Sequence, residues 1–263
     1  MSDVDPTRRE QLLYTAAREF ADESAVFTGF HWPIVAARVA RKLHAPELTS
    51  VFEAGIAYRG EADQLSTSTT EIGVFADHAD MFGDSLDTLH TFLKSGRLDG
   101  AVIDVSNVDR FGNVNSTVVG EYEDPLVRLP GPGGASDIAT HMSPVTLICG
   151  SDDSDRYQDR VEYVSSPGYL DGDGSREAAG FEPGTGPTKL LTPLGTFRFG
   201  DDGRARLHRL APDADVDDVR AMTGWPVEDG DYERLERPDE DELAVVRTVL
   251  SEAEDRFYTS IRP

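Results

Sequence analysis

The feature that most constrains the fold is a strand, a glycine turn, a helix and a second strand in direct succession near the N-terminus. The short apolar run of residues 26–28 ends at Gly29, and Pro33 then begins a helix that continues to Leu43. A second apolar run follows at residues 48–52. Because such crossovers are right-handed in nearly all sheets, the two strands are predicted to be parallel. The chain is therefore predicted to build an α/β fold.

The alternation of strands and helices continues along the chain, and no linker interrupts it. We therefore predict one domain over residues 1–263, with an open, mostly parallel sheet flanked by helices and a C-terminal β-hairpin and helix. The polar stretch of residues 57–73 is predicted to be a loop, and residues 107–115 a tight turn. Further strands are predicted at residues 101–105, 145–148, 161–164 and 189–192, the hairpin at 196–199 and 204–210, and helices at 6–22, 85–94, 215–223 and 240–257.

The charge of the chain is strongly unbalanced. There are 49 acidic residues against 25 basic ones, which gives a net charge of −24, while the 38% hydrophobic content is that of a globular protein. Concentrated salt screens the self-repulsion of such a surface, so the composition predicts a halophilic protein whose thermal midpoint rises from low salt to multimolar KCl. The same charge argues against nucleic acid and anionic membranes as partners.

The single cysteine and the N-terminus both predict a cytoplasmic protein. Cys149 is the only cysteine, so no intramolecular disulfide can form, and it follows an apolar run in which it is expected to be a small buried side chain. The first residues lack the basic and apolar regions of a signal peptide. No apolar run is long enough to cross a bilayer.

Glu53 stands directly after the predicted strand of residues 48–52. Ligands of open α/β sheets bind at the carboxyl ends of the strands, so a carboxylate at this position is a candidate functional group. Gly55 removes a side chain where a ligand would need close approach to the backbone. Taken alone, Glu53 could equally be a solvated acid at the start of a loop.

Other familiar binding motifs are incomplete in this sequence. Residues 171–182 match part of a calcium loop, but Arg176 stands where glycine is required. The glycine loop of residues 131–134 opens like a dinucleotide fingerprint, yet Ser136 replaces its last glycine, and no glycine loop is followed by the Lys-Ser/Thr of a P-loop. The histidines lack metal-ligand spacing, so no metal site is predicted. These histidines are His31, His44, His78, His90, His141 and His208.

Several unusual stretches occur in an order that resembles the B subunit of glutaconate-type CoA-transferases, which belong to class I. Together these stretches extend over most of the chain. With the acidic composition, the resemblance implies a haloarchaeal-type member of that family. The stretches are TGF at residues 28–30, HAP at 44–46, EAG at 53–55, DRFGNVNST at 109–117, GPGGASD at 131–137, YVSSPGYLDG at 163–172 and TGW at 223–225. The segment after Glu53 departs from the family, because TEIG at residues 70–73 replaces a Ser-(Val/Ile)-Gly-Asp-like sequence.

The resemblance implies an enzyme that moves CoA between an acyl-CoA and a free carboxylic acid. The acyl-CoA would be glutaconyl-CoA-like or another short or medium acyl-CoA. Glu53 matches the catalytic glutamate, which forms a glutamyl-CoA thioester. Neither a metal nor an organic cofactor is expected, since CoA enters as the substrate thioester.

The resemblance also implies roles for residues outside the strand that precedes Glu53. Backbone N–H groups of Gly133, Gly134 and Ala135 are candidates for an oxyanion and CoA loop. Gly29 and Phe30 would line an acyl pocket. Asn113 and Asn115 are further substrate-binding candidates.

The resemblance covers only a B-type chain, so an A-type CoA-transferase subunit is expected as the partner in a hetero-oligomer. Two alternatives remain open at this point. The chain could belong to a related ring-opening CoA-thioester hydrolase built on the same two-subunit plan. It could also be a non-catalytic structural subunit whose partner carries the chemistry.

Overall fold

The computed structural model describes residues 5–60, 62–66, 68–69, 71, 74 and 78–255. The chain separates into two compact units. Unit 1 comprises Met1–Asp104 with Glu236–Pro263, and unit 2 comprises Val105–Leu235. The single domain expected over residues 1–263 stays a prediction.

Unit 1 contains a sheet and the helices that pack on it. The helices are α1 (Arg8–Ala17), α2 (Trp32–Leu43), a π-helical segment (Asp87–Phe92) and the C-terminal helix, here called α6 (Glu240–Asp255). The strands are β1 (Ala25–Thr28), β2 (Thr49–Val51), β3 (Ile56–Arg59), β4 (Ala79–Phe82) and β5 (Gly100–Asp104).

The sheet of unit 1 has the strand order β5-β1-β2-β3-β4. The three strands β5, β1 and β2 run parallel, with Phe27 opposite Val51 on one side and Ala101 on the other. β3 and β4 are antiparallel additions. The parallel crossover predicted from the sequence is therefore confirmed. Because β5, β1 and β2 end on the same side, their C-terminal ends form one edge, which we call the carboxyl edge.

Helix α2 is the main helix over this sheet, and it is buried on almost every side because it contacts both strands and helices. It packs against β1 and β5, and α1 and α6 pack against it. Pro33 stands in its first turn, where the missing N–H costs nothing. Arg38 of α2 forms a two-point ion pair with Glu252 of α6, with N–O distances of 3.2 and 3.0 Å. This pair joins the C-terminal helix to the rest of unit 1.

The loop predicted at residues 57–73 is wrong at its start, because Ile56–Arg59 is strand β3. The apolar side chains explain the difference. Ile56 and Tyr58 are buried, and the Tyr58 ring stacks on Phe52 at 5.7 Å. Part of this predicted loop, including residues 61, 67, 70, 72 and 73, lies outside the described residues.

Unit 2 is richer in short strands. Its helices are α3 (Ala135–His141), α4 (Ser175–Ala178) and α5 (Val216–Met222), with a short 3-10 helix at Ser154–Arg156. Its strands are β6 (Asn107–Asp109), β7 (Val114–Asn115), β8 (Val118–Gly120), β9 (Pro125–Arg128), β10 (Val145–Ile148), β11 (Tyr157–Gln158), β12 (Pro187–Thr192), β13 (Gly195–Phe199), β14 (Ala205–Leu210) and β15 (Glu233–Arg234).

The strands of unit 2 form three groups. The largest has the order β15-β14-β13-β12-β10, in which β10 and β12 are parallel and β12, β13 and β14 are antiparallel. The smaller groups are β11-β6-β7 and the two-stranded β8-β9. The predicted C-terminal hairpin is confirmed as β13 and β14, and the C-terminal helix as α6. The fold class is therefore confirmed as α/β with a large sheet flanked by helices.

The strand predicted at residues 161–164 is wrong. Tyr163 and Val164 are exposed, and the segment has no strand pairing. Its backbone and side chains instead hold neighbouring loops, because the Val161 N–H donates to the Asp109 carboxylate and the Glu162 carboxylate accepts from the Gly120 N–H. The apolar residues of this segment therefore belong to an irregular loop and not to a strand.

Candidate functional site

Glu53 lies in a tight hairpin turn that connects β2 to β3. The Phe52 N–H donates to the Ile56 carbonyl at 2.8 Å, and the Gly55 N–H donates to the Phe52 carbonyl at 3.0 Å. These bonds close a three-residue hairpin loop in which Gly55 has a φ of +94°. Such loops commonly end in a glycine with positive φ. Glu53 is thus the first residue of the loop, and its side chain emerges where β2 ends.

Neighbouring segments fasten this turn. The Gly83 N–H donates to the Gly55 carbonyl at 2.8 Å, and the buried Thr88 hydroxyl donates to the Phe52 carbonyl at 3.1 Å. A Cβ on residue 55 would lie 2.3 Å from the Gly83 carbonyl carbon. Only glycine fits at position 55, for reasons of both conformation and space.

The Glu53 side chain is half-buried. In the part of the chain that the structure describes, its carboxylate accepts no hydrogen bond and joins no ion pair. Carboxylates that only hold a structure together are normally bonded when they are partly buried. An unbonded carboxylate on a fastened turn is instead suited to react with a ligand.

Buried polar groups support the strands behind Glu53. The Arg41 guanidinium donates to the Ser50 hydroxyl at 2.7 Å, and the Thr28 hydroxyl donates to the same oxygen at 3.0 Å. Arg41 also lies over the Tyr58 ring, 4.3 Å from its centroid. These contacts tie β1, β2 and β3 to helix α2, so the carboxyl edge is held on rigid elements.

Gly29 and Phe30 follow β1 and lie at the same carboxyl edge. A Cβ on Gly29 would come within 3.0 Å of the Val102 carbonyl oxygen, so β1 and β5 approach closely here. Phe30 is 53% exposed, which is unusual for a large apolar ring. A partly exposed ring at this edge suits an acyl pocket, and the roles of Gly29 and Phe30 stay predictions.

A polar pair that the sequence does not predict lies at this edge. His31 follows β1, and its Nδ1 lies 3.0 Å from an oxygen of Asp104, the last residue of β5. His31 is 8% exposed and has a φ of +69°. His31 lacks metal-ligand spacing in the sequence, but its position three residues after the predicted strand of residues 26–28 could have placed it near the same edge as Glu53.

Asn113 lies in a closed network in unit 2. Its amide nitrogen donates to the Asp109 carboxylate at 3.0 Å and to the Leu170 carbonyl at 2.8 Å. Its amide oxygen accepts from the backbone N–H groups of Gly168 and Leu170. Asn113 is 2% exposed. These bonds give it a structural role, and a substrate contact would have to break them.

Asp109 is the acidic member of this network. Its two oxygens accept from the N–H groups of Phe111, Asn113 and Val161 as well as from the Asn113 amide. Burial raises the pKa of the Asp109 carboxyl, while these hydrogen bonds act in the opposite direction. The network therefore carries a real desolvation cost, which its bonds partly offset.

The amide of Asn115 is also held by neighbouring backbone groups. Its amide nitrogen donates to the Val118 carbonyl at 2.6 Å, and its oxygen accepts from the N–H groups of Thr117 and Val118. It is fully buried. Substrate binding by Asn115 stays a prediction that these contacts disfavour.

The tight turn predicted at residues 107–115 is too long. Only residues 110–113 form the turn, because Asn107–Asp109 and Val114–Asn115 are the paired strands β6 and β7.

The glycine loop of residues 131–134 leads into helix α3. Gly133 is exposed with a φ of +50°, and Gly134 stands at the helix start. The Ala135 N–H donates to the Pro132 carbonyl at 3.0 Å and is therefore already used. For Gly133 and Gly134, no hydrogen bond from the N–H is found among the described residues. Gly133 and Gly134 thus remain better oxyanion candidates than Ala135.

Arg176 anchors the helix that follows this loop. Its guanidinium donates to the carbonyls of Gly168 and Ala139 at 2.6 Å each and to the Thr185 hydroxyl at 2.9 Å. The residue is 1% exposed, and burial lowers its pKa. Arg176, which excluded a calcium loop in the sequence, is thus a buried residue that connects α3 to residues 163–172.

Neither a metal centre nor a membrane span is found in the described part of the chain. The described residues contain no group of three or more His, Cys, Asp or Glu side chains that could hold a metal ion. No helix among them is long and apolar enough to cross a bilayer. Cys149 is buried, as predicted.

Three curated relatives resemble the chain over nearly its whole length. The B subunit of glutaconate CoA-transferase from Acidaminococcus fermentans is 28% identical over 92% of this chain and 91% of the relative. The B subunit of 3-oxoadipate CoA-transferase from Pseudomonas knackmussii is 30% identical, over 91% and 92% of the two chains. The IpdB subunit of a cholesterol ring-cleaving hydrolase of Mycobacterium bovis is 28% identical, over 93% and 94%.

A solved structure and a family model agree with these relatives. The crystal structure of glutaconate coenzyme A-transferase from Acidaminococcus fermentans superimposes with a TM-score of 0.84 at 28% identity, over 92% of this chain and 94% of that one. The family model described as coenzyme A transferase matches residues 10–221, which is most of the chain. The chain therefore belongs to the coenzyme A transferase family.

Proposed function

We propose that this chain is the B-type, catalytic subunit of a CoA-transferase, in which Glu53 carries CoA as a glutamyl thioester. The observation that carries the proposal is the state of Glu53. Its carboxylate stands on a fastened turn at the carboxyl edge, half-buried and without a partner among the described residues. Donor and acceptor would be an acyl-CoA and a carboxylic acid, in the manner of the glutaconate and 3-oxoadipate enzymes.

The first half of the reaction forms a mixed anhydride. One oxygen of the Glu53 carboxylate bonds to the carbonyl carbon of the acyl-CoA, and the carbon–sulfur bond breaks. The electron pair of that bond leaves with CoA as the thiolate. No proton is gained or lost, so the step needs an unprotonated and unpaired carboxylate more than a neighbouring base.

The second half returns CoA to the enzyme. The thiolate attacks the glutamyl carbonyl carbon, the carbon–oxygen bond of the anhydride breaks, and the original acid leaves as a carboxylate. A second acid then reverses the same steps. The thioester bond energy is conserved at each stage, which direct hydrolysis would lose.

This chemistry requires a rigid support for Glu53. Attack requires the reacting atoms to be held about 3–3.5 Å apart in the correct direction. The bonds from Gly83 and Thr88 restrict the turn that presents Glu53. Each tetrahedral intermediate also needs fixed donors for its oxyanion, and for this role the N–H groups of Gly133 and Gly134 stay the candidates that the family resemblance implies.

The active enzyme is proposed to be a hetero-oligomer with an A-type partner. The glutaconate and 3-oxoadipate relatives are both B subunits of their enzymes. The net charge of −24 supports this assembly, because an acidic surface binds the polyanionic CoA poorly without help. The predicted halophilic character and cytoplasmic location belong to the same proposal.

The test is product analysis on the chain co-expressed with its A-type partner. The complex is incubated with an acyl-CoA, with and without a labelled acceptor acid. A transferase moves the label into acyl-CoA only when the acceptor is present, and it releases little free CoA without it. Release of free CoA at the same rate without an acceptor would instead show thioester hydrolysis and would contradict the transferase proposal.

The isolated chain is the matched control in this assay, and it should be inactive. Glu53→Asp in the complex should be severely impaired, because the shorter side chain draws the carboxylate away from the thioester carbon. Full turnover by the isolated chain would contradict the two-subunit proposal, and full activity of Glu53→Asp would contradict the role of Glu53.

A further inference from the structure

Most of the large apolar side chains that are exposed among the described residues belong to one part of unit 2. They are Tyr122, Leu126, Val127, Tyr163 and Val164, which we call the hairpin patch. Leu126 is 83% exposed and Val127 is 51% exposed. Exposed apolar surface that polar residues surround commonly marks a contact with another protein.

The patch is built on a hairpin that stands apart from the larger sheet of unit 2. β8 and β9 pair with each other in a two-stranded sheet of their own. Successive side chains of a strand point to opposite faces, so the exposure of both Leu126 and Val127 leaves β9 open on both faces. A two-stranded hairpin needs further packing to be stable in water. This hairpin therefore has the exposure of an element that another chain completes.

Unit 2 holds the hairpin in place from one side. The Glu162 carboxylate accepts from the Gly120 N–H at 2.7 Å. The Tyr163 ring stacks on the Tyr122 ring, with centroids 5.3 Å apart and planes at 19°. The Arg128 guanidinium lies 4.5 Å from the centroid of the Tyr122 ring. The patch is thus preformed, which lowers the entropy cost of binding a partner.

The rim of the patch is acidic. Glu121, Glu123 and Asp124 are exposed in the turn between β8 and β9, and Glu162 is exposed beside Tyr163. A second copy of this chain would place the same acids against one another, and the net charge of −24 adds to that repulsion. The charges therefore fit a different chain, with an apolar docking face surrounded by Lys or Arg.

The hairpin continues directly into the glycine loop of residues 131–134. The Leu129 N–H donates to the Thr117 carbonyl at 3.0 Å, and the Gly131 N–H donates to the Ser116 carbonyl at 2.7 Å. These bonds extend the ladder of β8 and β9 to the start of the loop that holds the oxyanion candidates. A chain seated on the hairpin would therefore restrict the motion of that loop at its first residue.

We propose that the hairpin patch is the docking surface for the A-type partner, whose facing surface is apolar with a basic rim. This inference rests on the proposed function, since it assigns the partner of the B-type chain to one hairpin. The continuity with the glycine loop favours the partner that completes the enzyme. It also gives a physical reason for the inactivity expected of the isolated chain.

A cross-link identifies the occupant of the patch directly. In the complex with the A-type partner, Leu126 is replaced by the photoreactive residue p-benzoylphenylalanine. The complex is irradiated, and the cross-linked peptides are identified by mass spectrometry. We expect a cross-link to the A-type chain, at an apolar segment with Lys or Arg nearby. A cross-link to a second copy of this chain, or none to the A-type chain, would overturn the inference.

A substitution in the patch should weaken the complex while leaving the fold unchanged, because an exposed side chain contributes little to folding. In Leu126→Ser, the dissociation constant measured by mass photometry on dilution should rise about tenfold or more. Transfer activity should be normal at high enzyme concentration and should be lost on dilution earlier than in the wild type. Leu126→Met keeps an apolar side chain and is the matched control, which should dissociate like the wild type. An unchanged dissociation constant in Leu126→Ser would contradict the docking role.

The acidic rim is tested by reversing one charge. Glu123→Lys should raise the dissociation constant several-fold at reduced salt and less in multimolar KCl, because salt screens exposed charges. Asp231→Lys makes the same change at an exposed acid that precedes β15, and it should leave the dissociation constant nearly unchanged. Tighter binding in Glu123→Lys, or equal effects of the two variants, would contradict a partner with a basic rim.

These results are separate from the proposed function. A complex that transfers CoA but fails the cross-link or the dilution test has its partner on another surface, which overturns the inference alone. A complex that assembles and transfers no CoA would instead contradict the proposed function itself.

Discussion

Two hairpin turns of this protein share one pattern of backbone hydrogen bonds, but the carboxylate in one turn is hydrogen-bonded and the carboxylate in the other is not. In unit 1, Phe52 and Ile56 close a loop that ends in Gly55 at φ +94°. In unit 2, Asp109 and Asn113 close an equivalent loop that ends in Gly112 at φ +70°. Each turn carries one carboxylate and belongs to a stretch that resembles the same family.

The position of the carboxylate within the turn decides its use. Asp109 is the residue before the loop, so its side chain folds over the turn and accepts hydrogen bonds from Phe111 and Asn113. Glu53 is the first residue of its loop, and its longer side chain emerges from the sheet edge. A carboxylate that closes its own turn is structural, whereas one that the turn presents is available for reaction.

The largest effect expected from this comparison is that of Glu53→Gln. It removes the nucleophile, so transfer by the assembled enzyme should fall by about 10⁴-fold or more, a barrier increase of about 5.5 kcal/mol. The free energy of unfolding should change by less than about 0.5 kcal/mol, since the carboxylate makes no bond among the described residues. Acyl transfer assays and urea unfolding measure the two quantities.

The same chemical change in the other turn should reverse this pattern. Asp109→Asn places an amide NH₂ against donors that now meet a carboxylate oxygen, so it should lower the free energy of unfolding by about 1–3 kcal/mol. Transfer activity per folded molecule should stay within a few-fold of the wild type. A loss of activity with unchanged stability would show that Asp109 is not the structural carboxylate that its bonds indicate.

Replacement of the two glycines should give a smaller difference. Gly55→Ala places a Cβ 2.3 Å from backbone atoms of Gly83, whereas Gly112→Ala meets side-chain atoms of Phe199 and Pro187 at 2.8 Å. Both alanines are strained by the positive φ, but side chains yield more easily than backbone. Gly55→Ala should therefore cost about 1 kcal/mol more than Gly112→Ala in urea unfolding. Equal costs would mean that φ alone sets the effect.

A third turn of the same kind provides the smallest effect, a pH dependence. Asp202 lies in the loop between β13 and β14, and the hydrogen bond from Arg206 lowers the pKa of its carboxyl. Its stabilising contribution is present above the ordinary aspartate pKa of about 3.9 and is lost as the pH falls through the lowered value. Because Arg206 is exposed and Asp202 is only half-buried, the contribution should be below about 1 kcal/mol.

Unfolding measured from pH 6 to pH 2 should show this contribution as a small decrease in the stability difference between the wild type and Asp202→Asn. Asp109 should behave oppositely, because burial raises the pKa of its carboxyl. Protonation removes the cost of the buried charge, so the Asp109 contribution improves as the pH falls through the raised pKa. Slopes of the same sign for both residues would contradict the contrast.

The sequence predicted the framework of unit 1 because its signals are local. An apolar run, a glycine, a proline and a second apolar run specify β1, α2 and β2, and Glu53 follows at once. The hairpin turn at Glu53 was not predicted, since the polar residues after Arg59 made the whole stretch look like a loop. Only the buried partners of Ile56 and Tyr58 make residues 56–59 a strand.

The pair formed by His31 and Asp104 shows a different limit. The two residues come together because β1 and β5 are neighbours in the sheet, and sequence spacing carries no sign of that order. Asn113 shows the reverse case, because a motif that looked functional is saturated by backbone groups from residues 168 and 170. Sequence motifs located both the Glu53 stretch and the Asn113 stretch. Burial and hydrogen bonding then distinguish the unbonded carboxylate of Glu53 from the fully bonded amide of Asn113.

The central claim is that Glu53 carries CoA, and the mass of one peptide tests it most directly. The assembled enzyme is incubated with acyl-CoA in the absence of an acceptor acid, digested and analysed by mass spectrometry. We expect the peptide that contains Glu53 to gain the mass of CoA as a thioester and to lose it on treatment with hydroxylamine. The matched Glu53→Gln complex should show no adduct. CoA on a different residue, or no adduct on either chain of the complex, would contradict the account.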